Sequence, residues 1–226
     1  MDKTYLISDI HLGSRASRAK EITIAVDRFE QEGMTRLILL GDIFDGHKLG
    51  RLPKHHWKFV SKIRALSDQY EIVWIRGNHD WHVAEIMAEL IGVPLVEQYV
   101  WTQNNVTYCA IHGHQFDVFL TKNVIVSEIA SGFYYYLQKL DMKNQKVART
   151  VKRMSKGWLR LADEVASKAI TFAMRNHYDV VISGHTHKAA STIIDFRHYY
   201  NTGCWTDIPS HYIMIDDNGV HIEEVM

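Results

Sequence analysis

The chain has 226 residues, 46% of them hydrophobic and 23% charged, and its 26 Lys and Arg balance 26 Asp and Glu. That length fits one globular domain, the ordinary apolar share excludes disorder along the whole chain, and zero net charge counts against a non-specific nucleic-acid binder. Two distant cysteines, Cys109 and Cys204, make neither a disulfide framework nor a thiolate zinc site, whereas the 14 histidines outnumber the 13 glycines and point to metal chemistry.

Short apolar runs alternate with helix-length segments. Residues 4–8 read as a strand around Tyr5, Leu6 and Ile7. Residues 17–32 read as a helix with Ile22, Val26 and Phe29 on one face. A strand is predicted at 36–40, a helix at 53–66 with proline in its first turn, a strand at 71–75 and a helix at 81–91. This alternation predicts an α/β chain built of βαβ units. After Pro94 the pattern gives two paired strands, 96–102 and 106–111, around Gln103-Asn104-Asn105. A long helical stretch over 118–176 follows, then a strand at 179–183. Short strands fill 189–225, where Asp217-Asn218-Gly219 signals a hairpin. The opening apolar run is too short for a signal peptide. The most apolar segment, 118–140, is interrupted by Lys122, Asn123, Glu128 and Lys139, so no spanning helix is expected. With unpaired cysteines, a cytoplasmic location is expected.

The informative feature is where polar residues fall. In α/β sheets, ligands bind beyond the carboxyl ends of the strands. Five predicted strands end in Asp9-Ile10-His11, Gly41-Asp42-Ile43-Phe44-Asp45, Arg76-Gly77-Asn78-His79-Asp80, His112-Gly113-His114 and Gly184-His185-Thr186-His187. Ordinary surface loops would scatter Ser, Lys and Glu among these positions. Asp, Asn and His are oxygen and nitrogen donors that suit manganese, iron, zinc or nickel. Two such ions held ~3.5–4 Å apart form a clamp for in-line phosphoryl displacement, activating water and neutralising charge on the phosphoryl oxygens.

At these residues the sequence resembles the calcineurin-like metallophosphoesterase family, whose five blocks it matches in order between residues 5 and 206. The resemblance implies a four-layer α/β/β/α sandwich forming a single domain over 1–226, with a helical cap inserted at about 118–175. It implies one metal held by Asp9, His11, Asp42 and His187. A second would be held by Asp42, Asn78, His112 and His185, with Asp42 bridging. Manganese is the expected pair of ions, and the donors also accept iron, zinc or nickel. His79 would face the phosphate and protonate the leaving oxygen or stabilise the transition state, oriented by Asp45 or Asp80.

Within that family the nearest branch is the UDP-2,3-diacylglucosamine diphosphatases of lipid A biosynthesis. The similarity lies in Ser8-Asp9-Ile10-His11-Leu12-Gly13, in His112-Gly113-His114-Gln115-Phe116-Asp117 with the helical insertion after it, and in Tyr200-Asn201-Thr202-Gly203-Cys204-Trp205. The best-known members have Arg where this chain has His79, and usually Asp where it has His114; the His79 form resembles a second subgroup. The insertion is basic, with Lys122, Lys139, Lys143, Lys146, Arg149, Lys152, Arg153, Lys156, Arg160, Lys168 and Arg175 against Glu128, Asp141, Asp163 and Glu164. Arg149, Arg153, Lys156 and Arg160 recur at one helical face and are the candidate substrate contacts. Such a cap suits an anionic lipid or nucleotide sugar, or peripheral contact with the anionic inner membrane. The bland reading is a helical hairpin that packs its aromatics on the sandwich. A nucleotide, cyclic-nucleotide or nucleic-acid phosphodiesterase on the same scaffold is the alternative enzyme, although no obligate nucleic-acid partner is expected. A non-catalytic scaffold would have lost donors that this chain retains.

Overall fold

A computed structural model describes residues 2–46, 52–117 and 156–226, with the backbone alone at 156–160. Its elements are β1 (Thr4–Ile7), α1 (Ala19–Gln31), β2 (Arg36–Leu40), α2 (Lys54–Ser67), β3 (Glu71–Ile75), α3 (Trp81–Ile91), β4 (Leu95–Val96), β5 (Gln98–Gln103) and β6 (Val106–Ile111). A short 3-10 helix (His114–Phe116) and α4 (Lys156–Asn176) come next, then β7 (Val180–Ser183), β8 (Ala190–Ile194), β9 (Arg197–Asn201), β10 (Ser210–Asp216) and β11 (Gly219–Val225).

Two sheets stack face to face. One runs β11-β10-β1-β2-β3-β4, the other β5-β6-β7-β9-β8. β1, β2, β3 and β4 are parallel, as are β6, β7 and β9. The period-2 alternation of strand side chains divides each strand between two cores. Tyr5, Ile7, Leu37, Leu39, Ile72 and Trp74 face outward, where Ile22, Val26 and Phe29 of α1, Phe59 and Ile63 of α2, and Val83 and Met87 of α3 cover them. Leu6, Ile38, Leu40, Ile75, Ile213 and Ile215 face inward onto Trp101, Tyr108, Ala110, Val180 and Ile182 of the second sheet. Each such side chain contributes roughly 1.5–3 kcal/mol by leaving water, which fixes the register, since a one-residue slip would turn both faces inside out.

The fourth layer is α4. Ala166, Ala169, Ile170 and Ala173 fall on one helical face and pack on Ile111, Val181 and Tyr199 of the second sheet. The stretch from Leu161 to Arg175, expected within the inserted cap, is therefore the outer layer over that sheet, because its small and apolar residues recur with helical period. Residues 118–155 of the expected cap lie outside the described residues, as do Arg149 and Arg153. Lys156 and Arg160 lie in the first turns of α4, and their side chains are likewise outside the description. The layer order is that of an α/β/β/α sandwich. No helix among the described residues is long and apolar enough to cross a membrane.

Element boundaries follow the sequence pattern closely, with two refinements. The predicted strand at 96–102 is divided between β4 in the first sheet and β5 in the second, so the chain crosses layers at Glu97. The C-terminal hairpin β10–β11, closed at Asp217-Asn218, extends the first sheet beyond β1, a placement the sequence pattern leaves open.

Candidate metal centre

The carboxyl ends of β1, β2, β3, β6 and β7 open onto one edge of the sandwich, and the loops leaving them are stitched to one another. The Asp9 amide donates to Gly41 O at 3.1 Å, the His11 amide to Asp42 O at 3.0 Å, and the Leu12 amide to Ile43 O at 2.8 Å. The Gly184 amide donates to His112 O at 3.0 Å, and the Trp205 amide to Asp9 O at 3.1 Å. The loop glycines permit this closeness. A Cβ on Gly77 would lie 2.2 Å from the Asp42 amide nitrogen and Oδ1, and one on Gly184 would lie 2.5 Å from Asp9 Oδ2.

Five residues of these loops take left-handed backbone conformations that their side chains disfavour: Asp9 (φ 51°), His11 (50°), Asp42 (52°), His185 (66°) and His187 (57°). The three histidines cost on the order of 1–2 kcal/mol each, and the two aspartates less. Such strain persists only where the surroundings over-determine it, and it concentrates at functional sites.

The strained backbone divides each buried carboxylate into a held oxygen and a presented one. Asp9 Oδ2 accepts the His185 amide at 2.9 Å and the Ser8 hydroxyl, leaving Oδ1 with no hydrogen-bond partner. Asp42 Oδ1 accepts the His79 amide at 2.8 Å. Its Oδ2 lies 3.3 Å from His112 Nε2 and 3.9 Å from His11 Nε2. Asp9 Oδ1 in turn lies 3.2 Å from His187 Nε2, which is 3.3 Å from His11 Nε2. Two groups of donors result, Asp9–His11–His187 and Asp42–His112–His185, and Asp42 reaches both. Asn78 Oδ1 and His112 Nε2 are also buried without a partner. Unpaired buried polar atoms are rare and costly in folded proteins, and cations held in the two groups would satisfy all three. The residues present therefore fit divalent metal.

Ring tautomers strengthen the fit. A metal-bound imidazole nearly always gives its other nitrogen to a carboxylate, carbonyl or similar partner. His11 Nδ1 meets Asp45 Oδ1 at 3.2 Å, His112 Nδ1 meets Leu40 O at 2.8 Å, and His187 Nδ1 meets the Thr206 hydroxyl at 3.4 Å. His185 uses Nε2 instead, 3.0 Å from Asp117 Oδ2. The His79 ring has no such partner among the described residues and stands edge-on to His11, with ring centroids 4.8 Å apart. Distance alone also groups His79 with His11 and Asp42; the missing partner separates it from the other four rings.

Asp45 or Asp80 was the expected partner of the His79 ring, and among the described residues both are in contact with other groups. Asp45 instead meets His11, because the loop after β2 runs alongside Leu12, with the Asp45 amide donating to Leu12 O at 2.9 Å. Asp80 is wholly buried and accepts the Ile43 amide at 2.8 Å and the Gly77 amide at 3.1 Å, tying the β2 loop to the β3 loop. The sequence reading also gave no role to Asp117 or Thr206. Asp117 stood in a recognisable block with His112, whereas nothing near Thr206 marks it.

The electrostatics follow from packing carboxylates among imidazoles. Burial alone would raise Asp42, but His112 and His79 hold its carboxyl well below the usual range. Burial would likewise raise Asp9, which His187 and His112 lower. For His112, burial pulls downward and is outweighed by Asp42, so the ring is pushed up to about 10. Burial, with Asp42 nearby, raises Asp80 to about 6. Burial lowers His79, and burial together with His112 and His185 lowers His114 to about 3. The edge is thus a pocket in which buried carboxylates and imidazoles favour one another's charged forms.

Known proteins resemble this chain in sequence and fold. A sequence model of the calcineurin-like phosphoesterase family matches residues 3–189. The UDP-2,3-diacylglucosamine hydrolase of Shewanella oneidensis is 24% identical over 208 residues, covering 85% of each chain. The protein of the same name from Stenotrophomonas maltophilia is 24% identical over 207 residues, covering 83% of each. Among solved structures, Yfce, a phosphoesterase from E. coli, has the same fold at a TM-score of 0.54 and 19% identity, covering 96% of this chain and 90% of that one. With most of its length matched by the family, and candidate metal-binding clusters at the family's strand ends, the chain belongs to the calcineurin-like phosphoesterases and is a metal-dependent phosphohydrolase.

Proposed function

We propose that the chain is a dinuclear phosphohydrolase whose substrate is a UDP-2,3-diacylglucosamine-type pyrophosphate. Asp9, His11, Asp42 and His187 would hold one ion, Asp42, Asn78, His112 and His185 the other, with manganese as the preferred pair. The observation that carries the site assignment is the set of presented, unpartnered atoms backed by ring nitrogens that are all satisfied from behind. The substrate assignment rests on the two curated relatives and on the basic insertion.

When bound, the ions supply Lewis acidity toward the phosphoryl group and lower the pKa of water. The protein's own part is to hold donors rigidly through the strained loops, which avoids reorganisation during reaction. Asp80 keeps the loops after β2 and β3 together. His79, kept toward its neutral form by burial, would donate an N–H to a phosphoryl or leaving oxygen. Arg149, Arg153, Lys156 and Arg160 would meet the nucleotide or sugar phosphates. The enzyme would work in the cytoplasm, touching the inner membrane peripherally when it takes up an acylated substrate.

Purified chain with manganese should split UDP-2,3-diacylglucosamine much faster than cyclic dinucleotides or single-stranded DNA. It should also hydrolyse bis(p-nitrophenyl) phosphate slowly. Preference for a cyclic dinucleotide or for DNA would replace the proposed substrate, and full activity in an Asp42→Ala, His112→Ala double variant would overturn the site.

A further inference from the structure

We infer that Asp117 is a positioning residue that locks His185 in its Nε2–H tautomer and so makes His185 present Nδ1, unlike the other three rings, to the metal centre. This rests on the proposed centre above. Asp117 is buried, with 3% exposure, and its Oδ2 stands 3.0 Å from His185 Nε2. A carboxylate can only accept from that nitrogen, so the ring's second nitrogen carries the lone pair. The His185 backbone is pinned as well, since its N–H, in a left-handed conformation, donates a hydrogen bond to Asp9 Oδ2 at 2.9 Å.

Asp117 is itself held from two sides. It ends the turn of 3-10 helix that follows His112, with its amide donating to His114 O at 3.1 Å and the Phe116 amide donating to Gly113 O at 3.0 Å. From the outer layer, Lys168 of α4 donates to Phe116 O at 3.1 Å, and Phe172 packs its ring 5.6 Å from that of Phe116. The α4 layer thus reaches the centre through Phe116 and Asp117. The other three rings are steadied by Asp45, Thr206 or the Leu40 carbonyl, on different elements. Loss of Asp117 should therefore weaken one ion and spare the other.

The test uses the full chain, freed of metal by chelation. In wild type, long-range 1H–15N NMR above neutral pH should report His185 as the Nε2–H tautomer, and manganese titration should show two equivalents bound. Asp117→Ala should mix the tautomers and weaken one equivalent by about 10–100-fold, as removal of an orienting partner does elsewhere, with the second unchanged. Asp117→Asn, whose amide oxygen still accepts the His185 N–H, should stay nearer wild type, whereas a carboxylate kept only for its charge would make Asn as damaging as Ala. An Nδ1–H tautomer in wild type overturns the inference even if Asp117→Ala does not fold. Two unchanged equivalents in Asp117→Ala overturn it while leaving the proposed centre intact. Absence of any manganese binding by wild type would instead sink the proposed centre, and with it the inferred role.

Discussion

The same left-handed backbone occurs in two kinds of place in this molecule, and the contrast separates chain reversal from site construction. At the turns it falls on Asn104, Asn105, His177, Asp195 and Phe196, where hairpins or a helix end need it and the side chains are largely free in solvent. At the strand ends it falls on Asp9, His11, Asp42, His185 and His187, which lie in or against the interior and have their side chains tied to neighbouring loops. A turn tolerates the conformation because asparagine and aspartate adopt it at little cost. At the strand ends the conformation survives on histidine because a network of amide-to-carbonyl bonds between loops holds it. Phe196 marks the other extreme, with 93% exposure and only its hairpin to justify its φ of 63°.

Four changes would break or sharpen that contrast. Asp42→Asn removes the charge that both donor groups share, and turnover of bis(p-nitrophenyl) phosphate should fall by about three orders of magnitude, equivalent to a loss of ~4 kcal/mol. Manganese content measured on the same sample should drop with it; retention of both ions and of turnover would remove Asp42 from the centre. Gly77→Ala should be the next most severe, because its Cβ would overlap the Asp42 backbone. A fall of about 100-fold in activity with a stability loss of ~1–3 kcal/mol is expected. The matching change at the end of α1, Gly33→Ala, meets nothing within 4 Å and should cost only ~1 kcal/mol through its positive φ, with activity intact.

The third change concerns pH. His56 of α2 accepts the Gly13 amide at Nδ1 (2.9 Å), and burial with His55 alongside lowers it to about 4 from an ordinary 6.5. Between those values the unfolded chain binds a proton that the folded chain refuses, so stability rises with pH there. About 3 kcal/mol should disappear as pH falls from 6.5 to 4. Urea midpoints over this range should flatten in His56→Gln, and parallel curves for the two proteins would refute the assignment. The smallest effect is expected at Phe196→Gly, which relieves a strained turn without touching the strand-end loops. Thermal unfolding should show a gain of up to ~1 kcal/mol at unchanged activity. A loss of stability would mean that the exposed ring has a packing role.

Much of this architecture was legible in the sequence because strand alternation and strand-end donors are both local patterns. Tyr5-Leu6-Ile7 running into Asp9 and His11 encodes a strand, its two faces and its chemistry within a few residues. What was illegible depends on which loops come to lie side by side. Asp45 reads in the sequence as a partner of His79, and the bridge between Leu12 and Phe44 brings it to His11 instead. Which nitrogen His185 presents is decided by Asp117, 68 positions earlier in the chain. The helical character of α4 was legible, but that Ala166, Ala169, Ile170 and Ala173 cover the second sheet was not, since an apolar helical stripe specifies only that it is buried.

The position of the C-terminal hairpin has a consequence for biogenesis. β1 lies between β2 and β10, with Leu6 opposite Ile213, so the strand that delivers Asp9 is completed on one side by residues translated some 200 positions later. His185 and His187 also emerge long after Asp9 and Asp42. A nascent chain that has passed β6 therefore displays five of the seven candidate donors on an unfinished sheet, and long-range pairing of this kind is slow to form. Each of the two groups of donors includes one of these late histidines, so neither can be complete before β7 and the loop that follows it have been made.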